Sequence, residues 1–243
     1  MSTAHASLVG RVALVTGASS GIGHATALAL ARQGADLVVT ARRAERLAAL
    51  CQQISTLGCR ALAVVGDAAE EATAQQAVGL ALSSLGRLDI LINNAGIGDY
   101  KPFVETSAAE YDALLNTNLR SGFLFTRHAV PSMIQQGSGT VIFVSSVAGL
   151  QGAAGEAVYS ATKFAQVGLA QSLDAELRKH NIKVSVVCPG GVKSEFALGH
   201  GRTQEFIDNS RMMEPSEVAG SVVYVCTQPP NVRIPQLIVR HMG

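Results

Sequence analysis

The chain has no tryptophan, few aromatic residues and no dense run of charge of either sign. Aromatic residues make up 5% of the 243 positions, charged residues 15%, and the formal net charge is +1. Surfaces that bind nucleic acid usually show a basic patch, often interleaved with aromatic side chains. These shortages predict that nucleic acid is not a partner.

Long apolar runs are also missing. A transmembrane helix needs a run of about 18 or more apolar residues, and none is present. Met1–Val9 lacks the basic segment followed by an apolar segment that marks a secretory signal peptide. We therefore expect no membrane association and no signal peptide.

Cysteine is scarce and poorly placed for metal binding. None of the four cysteines forms a CxxC pair, and none is spaced from a histidine as metal ligands are. This pattern favours free thiols in a reducing compartment. We expect a cytoplasmic protein without a metal site.

Apolar runs of strand length alternate with helical stretches along the whole chain. This alternation predicts an α/β fold, with a single doubly wound parallel sheet of about seven strands and helices on both faces. No linker divides the chain, so we expect one domain over residues 1–243. The predicted strands are Arg11–Thr16, Asp36–Thr40, Arg60–Val65, Asp89–Ile92, Thr140–Val144, Lys183–Cys188 and Gln236–Arg240.

A glycine-rich turn follows the first predicted strand, in a TGxxxGxG pattern. Glycine permits close backbone approach, and the next helix offers free N–H groups and a positive dipole end to a pyrophosphate. The position of the turn therefore predicts a dinucleotide site rather than an ordinary turn. Its expected contacts are Gly17, Ser19, Ser20, Gly21, Ile22 and Gly23.

Two arginines follow the second predicted strand, where a fold selecting NAD usually places an acidic residue for the ribose 2′-hydroxyl. Arg42 and Arg43 can instead bind a 2′-phosphate through charge-assisted hydrogen bonds. We therefore expect NADP(H) as the cofactor. The competing interpretation is that both arginines are simply solvated at a helix start.

Tyr159 and Lys163 stand four residues apart, so a helix would place them on one face. A neighbouring cation favours the phenolate form of tyrosine, which suits acid/base chemistry. Alone the pattern is weak, because such pairs also occur by chance on solvated helices.

Several motifs together resemble the short-chain dehydrogenase/reductase family, in its NADP-preferring type. The resemblance runs from about Val9 to about Val225 and implies a Rossmann fold. The motifs are Thr16–Gly23, Asn93–Gly96, Ser146, Tyr159 with Lys163, and Pro189 with Gly190, in the family's order and spacing.

The resemblance implies a catalytic set of four residues. Tyr159 would be the acid/base, and Lys163 would lower its pKa and bind the nicotinamide ribose. Ser146 would hold the substrate oxygen, and Asn118 would anchor a water in a proton relay. Ser145 remains a rival for the active serine, and Asn118 could instead cap or kink its helix.

The resemblance also implies further cofactor contacts. Asp67 would meet the adenine amine, although it could simply cap the following helix. Ser19 would reach the 2′-phosphate. The turn beneath the adenosine ribose would use Asn94, Ala95 and Gly96, and the nicotinamide and pyrophosphate would be cradled by Pro189, Gly190, Val192 and Ser194.

The implied reaction is hydride transfer between NADP(H) and a small carbonyl/alcohol pair. A 3-oxoacyl-(acyl-carrier-protein) reductase, a 3-hydroxy-acid dehydrogenase, an epimerase or dehydratase, and a non-catalytic cofactor-binding regulator remain alternatives. The substrate loop is expected at about 191–213, and a homodimer or homotetramer through the helices at 107–136 and 157–180. Together with the segments Ile97–Phe103 and Leu150–Ala157, the loop Val192–Met213 is expected to contact the substrate through Tyr100, Phe103, Leu150, Phe196, Leu198, Phe206, Met212 and Met213.

Overall fold

One parallel sheet of seven strands forms the centre of the computed structural model, which describes residues 7–242. The strand order is β3-β2-β1-β4-β5-β6-β7, and every neighbouring pair is parallel. This confirms the predicted fold class; the expectation about a signal peptide falls largely on residues 1–6, outside the described part. The strands are β1 Val12–Thr16, β2 Asp36–Ala41, β3 Ala61–Val65, β4 Ile90–Asn93, β5 Gly139–Val144, β6 Ile182–Pro189 and β7 Gln236–Val239.

Helices cover both faces of the sheet and create two apolar cores. One core joins the sheet to α3, α5 and α6, and the other joins it to α1, α2 and α8. Strands buried on both faces read as continuous apolar runs, which is why β1 is buried at every residue. The helices are α1 Gly21–Arg32, α2 Ala44–Thr56, α3 Glu71–Leu85, α4 Ala108–Leu114, α5 Ser121–Gln136, α6 Ala157–Leu177, α7 Gln204–Asn209 and α8 Pro215–Cys226.

The long helical region predicted at 107–136 is interrupted by a wider turn. A π-helical segment, Leu115–Arg120, connects α4 to α5. Such turns offset the hydrogen-bond ladder and occur frequently at functional sites. The interruption contains Asn118 and lies beside α6.

Strand order reverses between β1 and β4, since the chain moves outward through β2 and β3 before returning beside β1. In open α/β sheets, ligands bind in the crevice outside the carboxyl ends of the strands at such a switch point. Within residues 7–242, no helix is both long and apolar enough to cross a bilayer.

Candidate active site

A cleft of about 950 Å³ opens over the carboxyl ends of β1, β2, β4, β5 and β6. It brings together nearly every residue that the sequence predicted for the site. Two exceptions lie just behind its wall: Gly23 packs beneath the glycine turn, and Asn118 is fully buried. The predicted residues lining the cleft are Gly17, Ser19, Ser20, Gly21, Ile22, Arg42, Arg43, Asp67, Asn94, Ala95, Gly96, Ser146, Tyr159, Lys163, Pro189, Gly190, Val192 and Ser194.

The glycine turn is packed too tightly for side chains. A Cβ on Gly17 would lie 2.9 Å from the Cα of Ala95, and one on Gly23 would lie 2.4 Å from the side chain of Asn94. Gly17 also has a φ of +65°, which other residues rarely adopt. The turn therefore sits directly on the loop that follows β4.

Thr16 fixes this contact between the two strand ends. Its Oγ1 accepts hydrogen bonds from the N–H groups of Asn94 and Ala95, both at 2.9 Å. The Asn94 side chain in turn donates to the carbonyl of Thr16 at 2.9 Å. The turn at Asn94 and Ala95, which was predicted to lie beneath the adenosine ribose, is thus hydrogen-bonded to the last residue of β1.

The start of α1 leaves backbone donors facing the cleft. Ser20 is the N-cap but makes no side-chain cap hydrogen bond, and the first turn contains no acidic residue. Free N–H groups and the helix dipole at such an end favour an anion. Ser194 closes over this turn, since a Cβ on Gly21 would lie 3.3 Å from its Cβ.

Arg43 is held against the glycine turn by serine hydroxyls. Its guanidinium donates to Ser19 Oγ at 2.9 and 3.1 Å and to Ser20 Oγ at 2.7 Å. It also pairs with Glu195 at 2.7 Å, a carboxylate that Arg46 binds as well. Hydrogen bonds from Arg43 and Arg46 to its carboxylate lower the pKa of Glu195.

These donors fit a phosphorylated dinucleotide. Backbone N–H groups, serine hydroxyls and the exposed Arg42 guanidinium surround the end of β2, where no acidic residue follows the strand. Within residues 7–242, Arg43 binds a single carboxylate, that of Glu195. Glu195 lies in the loop after β6.

Asp67 does not cap the following helix, which was the alternative to an adenine contact. The N-cap of α3 is Glu70, while Asp67 Oδ1 accepts a hydrogen bond from the N–H of Ala69 at 2.9 Å. The side chain is exposed and lines the cleft. An adenine contact stays a prediction.

Tyr159 is buried at the inner end of the cleft, where the Ser146 hydroxyl lies beside its phenol. Burial raises the pKa of Tyr159 above its ordinary value, because the phenolate would lose hydration, and the neighbouring Ser146 hydroxyl offsets only part of this. Ser145 is directed elsewhere, donating to the main-chain carbonyl of Lys163 at 3.0 Å. The geometry therefore favours Ser146 over Ser145 as the serine beside the phenol.

Lys163 lines the cleft one helical turn from Tyr159, with Nζ 5.7 Å from the ring centroid. Its ammonium donates to the Val144 carbonyl and to Gln166 Oε1, each at 3.1 Å. Burial lowers the pKa of Lys163 to about 8. That Lys163 lowers the pKa of Tyr159 stays a prediction.

Asn118 uses its side chain to connect three elements instead of capping a helix. It pairs with the backbone of Ile97 in both directions, at 2.8 and 3.0 Å, and donates to Thr162 Oγ1 at 3.0 Å. Its main-chain carbonyl accepts a hydrogen bond from the Gln166 side chain at 2.5 Å. The sequence reasoning missed Gln166, although its spacing of three from Lys163 places both on one helical face.

Aromatic rings surround the Tyr159 phenol. Tyr100 packs edge-on against it at 5.5 Å between centroids, and Phe196 lies at 5.8 Å. Both rings come from the loops predicted to contact substrate. They form an apolar pocket beside the hydroxyl pair of Tyr159 and Ser146.

Other predicted substrate-loop residues lie elsewhere. Leu150 packs against the core on one face of the sheet, and Met213 is buried in the core on the other. Phe103 and Phe206 are exposed and do not line the cleft, and Met212 packs against Gly191. Those expectations were wrong, because apolar composition does not reveal which space a loop side chain fills.

Comparison with known proteins places this architecture in a family. Residues 11–205 match the model of the short chain dehydrogenase family. An uncharacterized oxidoreductase of Thermotoga maritima is 39% identical over 186 residues, which cover 76% of this chain and 73% of that one. The 3-oxoacyl-[acyl-carrier-protein] reductase of Synechocystis is 36% identical over 225 residues, covering 91% of each chain.

A solved structure agrees with these matches. A metagenomic short-chain oxidoreductase in complex with NADP superposes with a TM-score of 0.84 at 35% identity, covering 97% of this chain and 99% of that one. The chain therefore belongs to the short-chain dehydrogenase/reductase family of oxidoreductases, and it contains the parallel sheet, the glycine turn and the buried tyrosine–lysine pair described above.

Proposed function

We propose that the protein is an NADP(H)-dependent reductase that interconverts a ketone or aldehyde and an alcohol. The observation that carries the proposal is the buried Tyr159 phenol, which lines the inner end of the cleft together with Ser146 and Lys163. The phenol is protonated near neutral pH, so it carries a proton that it can donate to a carbonyl oxygen.

The protein's share of the reaction is the movement of one proton and the stabilisation of developing charge. Tyr159 Oη donates its proton to the carbonyl oxygen as that oxygen gains negative charge. The Ser146 hydroxyl donates a hydrogen bond to the same oxygen, an electrostatic effect that is often the largest single contribution. The reduced nicotinamide, when bound, supplies the hydride, which with the proton converts C=O to CH–OH.

Lys163 holds a cation next to the reacting phenol. Its ammonium donates hydrogen bonds to Val144 O and Gln166 Oε1, and these two acceptors hold it at the cleft wall. A pKa of about 8 lets it exchange a proton near neutral pH, which suits a group that returns a proton to Tyr159. Asn118 supports this arrangement from behind through Gln166.

NADP(H) is favoured over NAD(H) by the charge around the end of β2. Arg42 and Arg43 offer two guanidiniums where a 2′-phosphate would be placed, and Ser19 and Ser20 already position Arg43. A family member that superposes closely was solved with NADP. The free backbone donors of α1 would hold the pyrophosphate.

A second candidate, reduction of a 3-oxoacyl group on an acyl carrier protein, is favoured by the Synechocystis relative. The same proton chemistry applies, since the reacting group is again a ketone. The two candidates differ only in what enters the cleft beyond the carbonyl.

The proposal is tested by following NADPH oxidation with aldehydes, β-keto esters, diketones and an acetoacetyl thioester, and repeating each with NADH. We expect reduction of at least one class, with kcat/KM higher for NADPH than for NADH. Turnover without net NADPH consumption would support an epimerase or dehydratase, and NADPH binding without any turnover would support a regulator; either result rejects the proposal.

A homo-oligomer is also proposed, through α5 and α6. Phe123 on α5 is 48% exposed and Phe164 on α6 is 46% exposed, beside the small exposed residues Ala161 and Gly168. Exposed phenylalanines on long helices suit burial against a second copy. Light scattering should give a mass of two or four chains, whereas a monomer mass would contradict this.

A further inference from the structure

Arg202 stands out among the charged residues near the substrate end of the cleft. Its guanidinium carbon lies 5.2 Å from the Tyr100 ring centroid and 5.9 Å from that of Phe196. These are the two rings that pack against Tyr159. A cation is thus placed one side chain away from the proposed acid/base.

The backbone around Arg202 is fixed to the same aromatic residues. The N–H of Tyr100 donates to the His200 carbonyl at 3.1 Å, and the N–H of Arg202 donates to the Ala197 carbonyl at 3.1 Å. Gly201 lies against Tyr100 so closely that a Cβ there would be 2.4 Å from the Tyr100 Cβ. The guanidinium is therefore presented by an ordered turn.

No carboxylate in residues 7–242 forms an ion pair with Arg202. Asp99 pairs instead with Lys101 at 3.0 Å and with His200 at 3.7 Å. Glu156 is half-buried and lines the same cleft, and its carboxylate has no hydrogen-bond partner among the described residues. Burial raises the pKa of Glu156, and the charge of Arg202 opposes this rise. Arg202 keeps donors for a ligand, and a guanidinium presents them in a fork that matches a carboxylate.

We propose that Arg202 binds a carboxylate group of the carbonyl substrate, so that the enzyme prefers oxo acids to neutral ketones and aldehydes. The inference rests on the proposed reductase function. The carbonyl would lie at Tyr159 and Ser146, the carbon chain against Tyr100 and Phe196, and the carboxylate on the guanidinium.

A rival role for Arg202 follows from the same contacts. Tyr100 packs edge-on against Tyr159 and lies beneath the Arg202 guanidinium, so Arg202 could act through Tyr100 on the reacting phenol. Loss of Arg202 would then lower kcat for every substrate, charged or neutral. Carboxylate binding instead predicts a higher KM for acids alone.

The first test compares acetoacetate with methyl acetoacetate, and 4-oxopentanoate with its methyl ester, using NADPH. We expect wild type to show at least a tenfold lower KM for each acid. Arg202→Gln should raise the KM for the acids roughly 10- to 100-fold, the usual effect of losing a hydrogen bond to a charged group. Arg202→Lys should restore part of the loss, and neither variant should change the ester kinetics more than about threefold.

A second measurement does not need turnover. Butanoate and butanamide are titrated into the NADP-loaded protein while its thermal midpoint is recorded. We expect butanoate to raise the midpoint more than butanamide in wild type, and the two to act alike in Arg202→Gln. Tyr100→Phe, which keeps the ring, should retain the preference for butanoate.

The outcomes separate the two proposals. Equal KM values for acid and ester in wild type, or an Arg202→Gln loss that is the same for both and appears in kcat, would overturn the carboxylate site. Absence of any carbonyl reduction together with preserved butanoate selectivity would overturn the reductase function but support the carboxylate site. Absence of both would overturn both.

Discussion

Gln166 links Lys163 to Asn118 through a single side chain. Its Oε1 accepts a hydrogen bond from the Lys163 ammonium at 3.1 Å, while its Nε2 donates to the Asn118 carbonyl at 2.5 Å. All three side chains are buried, so the π-helical segment and α6 are connected without exposed solvent. The sequence-based expectation gave this connecting role to a water held at Asn118.

Replacing Gln166 should therefore change the ionisation of Lys163. Gln166→Leu removes an acceptor that favours the charged ammonium and should lower the pKa of Lys163, whereas Gln166→Glu adds a carboxylate and should raise it. The measurement is the pH dependence of kcat, in which the limb assigned to Lys163 should move in opposite directions for the two variants.

Gln171→Leu on the exposed face of the same helix is the control, and its pH profile should match wild type. If both Gln166 variants lower kcat without moving either limb, Gln166 is only structural and the assignment to Lys163 fails.

The Arg43–Glu195 ion pair predicts how NADPH affinity is set. Arg43→Ala should raise the Kd for NADPH roughly 10- to 100-fold, because a charge-assisted contact to the 2′-phosphate is lost. Glu195→Gln should lower it, since the carboxylate competes with that phosphate for Arg43. Fluorescence titration with NADPH and NADH measures both effects.

NADH binding should change little in either variant, as NADH lacks the 2′-phosphate. Glu205→Gln on α7 provides a control in the same loop region. Equal weakening of NADPH and NADH by Arg43→Ala would mean that Arg43 only supports the glycine turn.

Burial of Lys163 predicts a pH-dependent stability. Its folded pKa of about 8 lies below the ordinary lysine value of 10.5, so the unfolded chain binds more protons between these values and stability rises with pH. Relative to Lys163→Met, the unfolding free energy should increase by about 1.6 kcal/mol from pH 8 to 9.5. Urea unfolding of the cofactor-free protein at several pH values checks this.

Comparison with Lys163→Met isolates the lysine. Burial raises the pKa of Cys188 to about 11 and that of Cys226 to about 12, which has the opposite effect on stability but occurs in both proteins. A constant difference between wild type and Lys163→Met across this range would refute the shifted pKa.

The contact between the glycine turn and the β4 loop predicts a strict requirement for glycine at position 23. Gly23→Ala would place a Cβ 2.4 Å from both the Asn94 side chain and the Gly17 carbonyl, so both the melting temperature and NADPH affinity should fall. Gly79→Ala, in an open position on α3, should instead stabilise the protein by about 0.5–1 kcal/mol. Unchanged NADPH affinity in Gly23→Ala would contradict the tight packing of the turn.

The sheet and the cofactor turn were predictable because their signals are local. Strands buried on both faces, such as β1 and β5, appear as short β-branched runs, and glycine spacing marks the turn between β1 and α1. Polar residues directly after strand ends, including Asn94 and Ser146, then meet at one edge of the sheet. Parallel topology alone brings them together.

The missed features depend on distant or irregular contacts. Glu195 reaches Arg43 across 152 positions of sequence, and no pattern near either residue indicates that pairing. The π-helical turn around Asn118 was hidden because its residues are compatible with an ordinary helix. Met213 was predicted to contact the substrate but is buried in the core. The prediction was wrong because loop residues show no periodicity that distinguishes a core position from a substrate contact.

The central claim is that the Tyr159 phenol donates the proton, and Tyr159→Phe tests it most directly. The substitution keeps the ring that packs against Tyr100 and Phe196 while removing the hydroxyl that lies beside Ser146. We expect kcat for carbonyl reduction to fall roughly 10²- to 10⁴-fold, the usual contribution of a positioned acid/base, with the Kd for NADPH unchanged within about twofold. Near wild-type turnover in Tyr159→Phe would contradict the account.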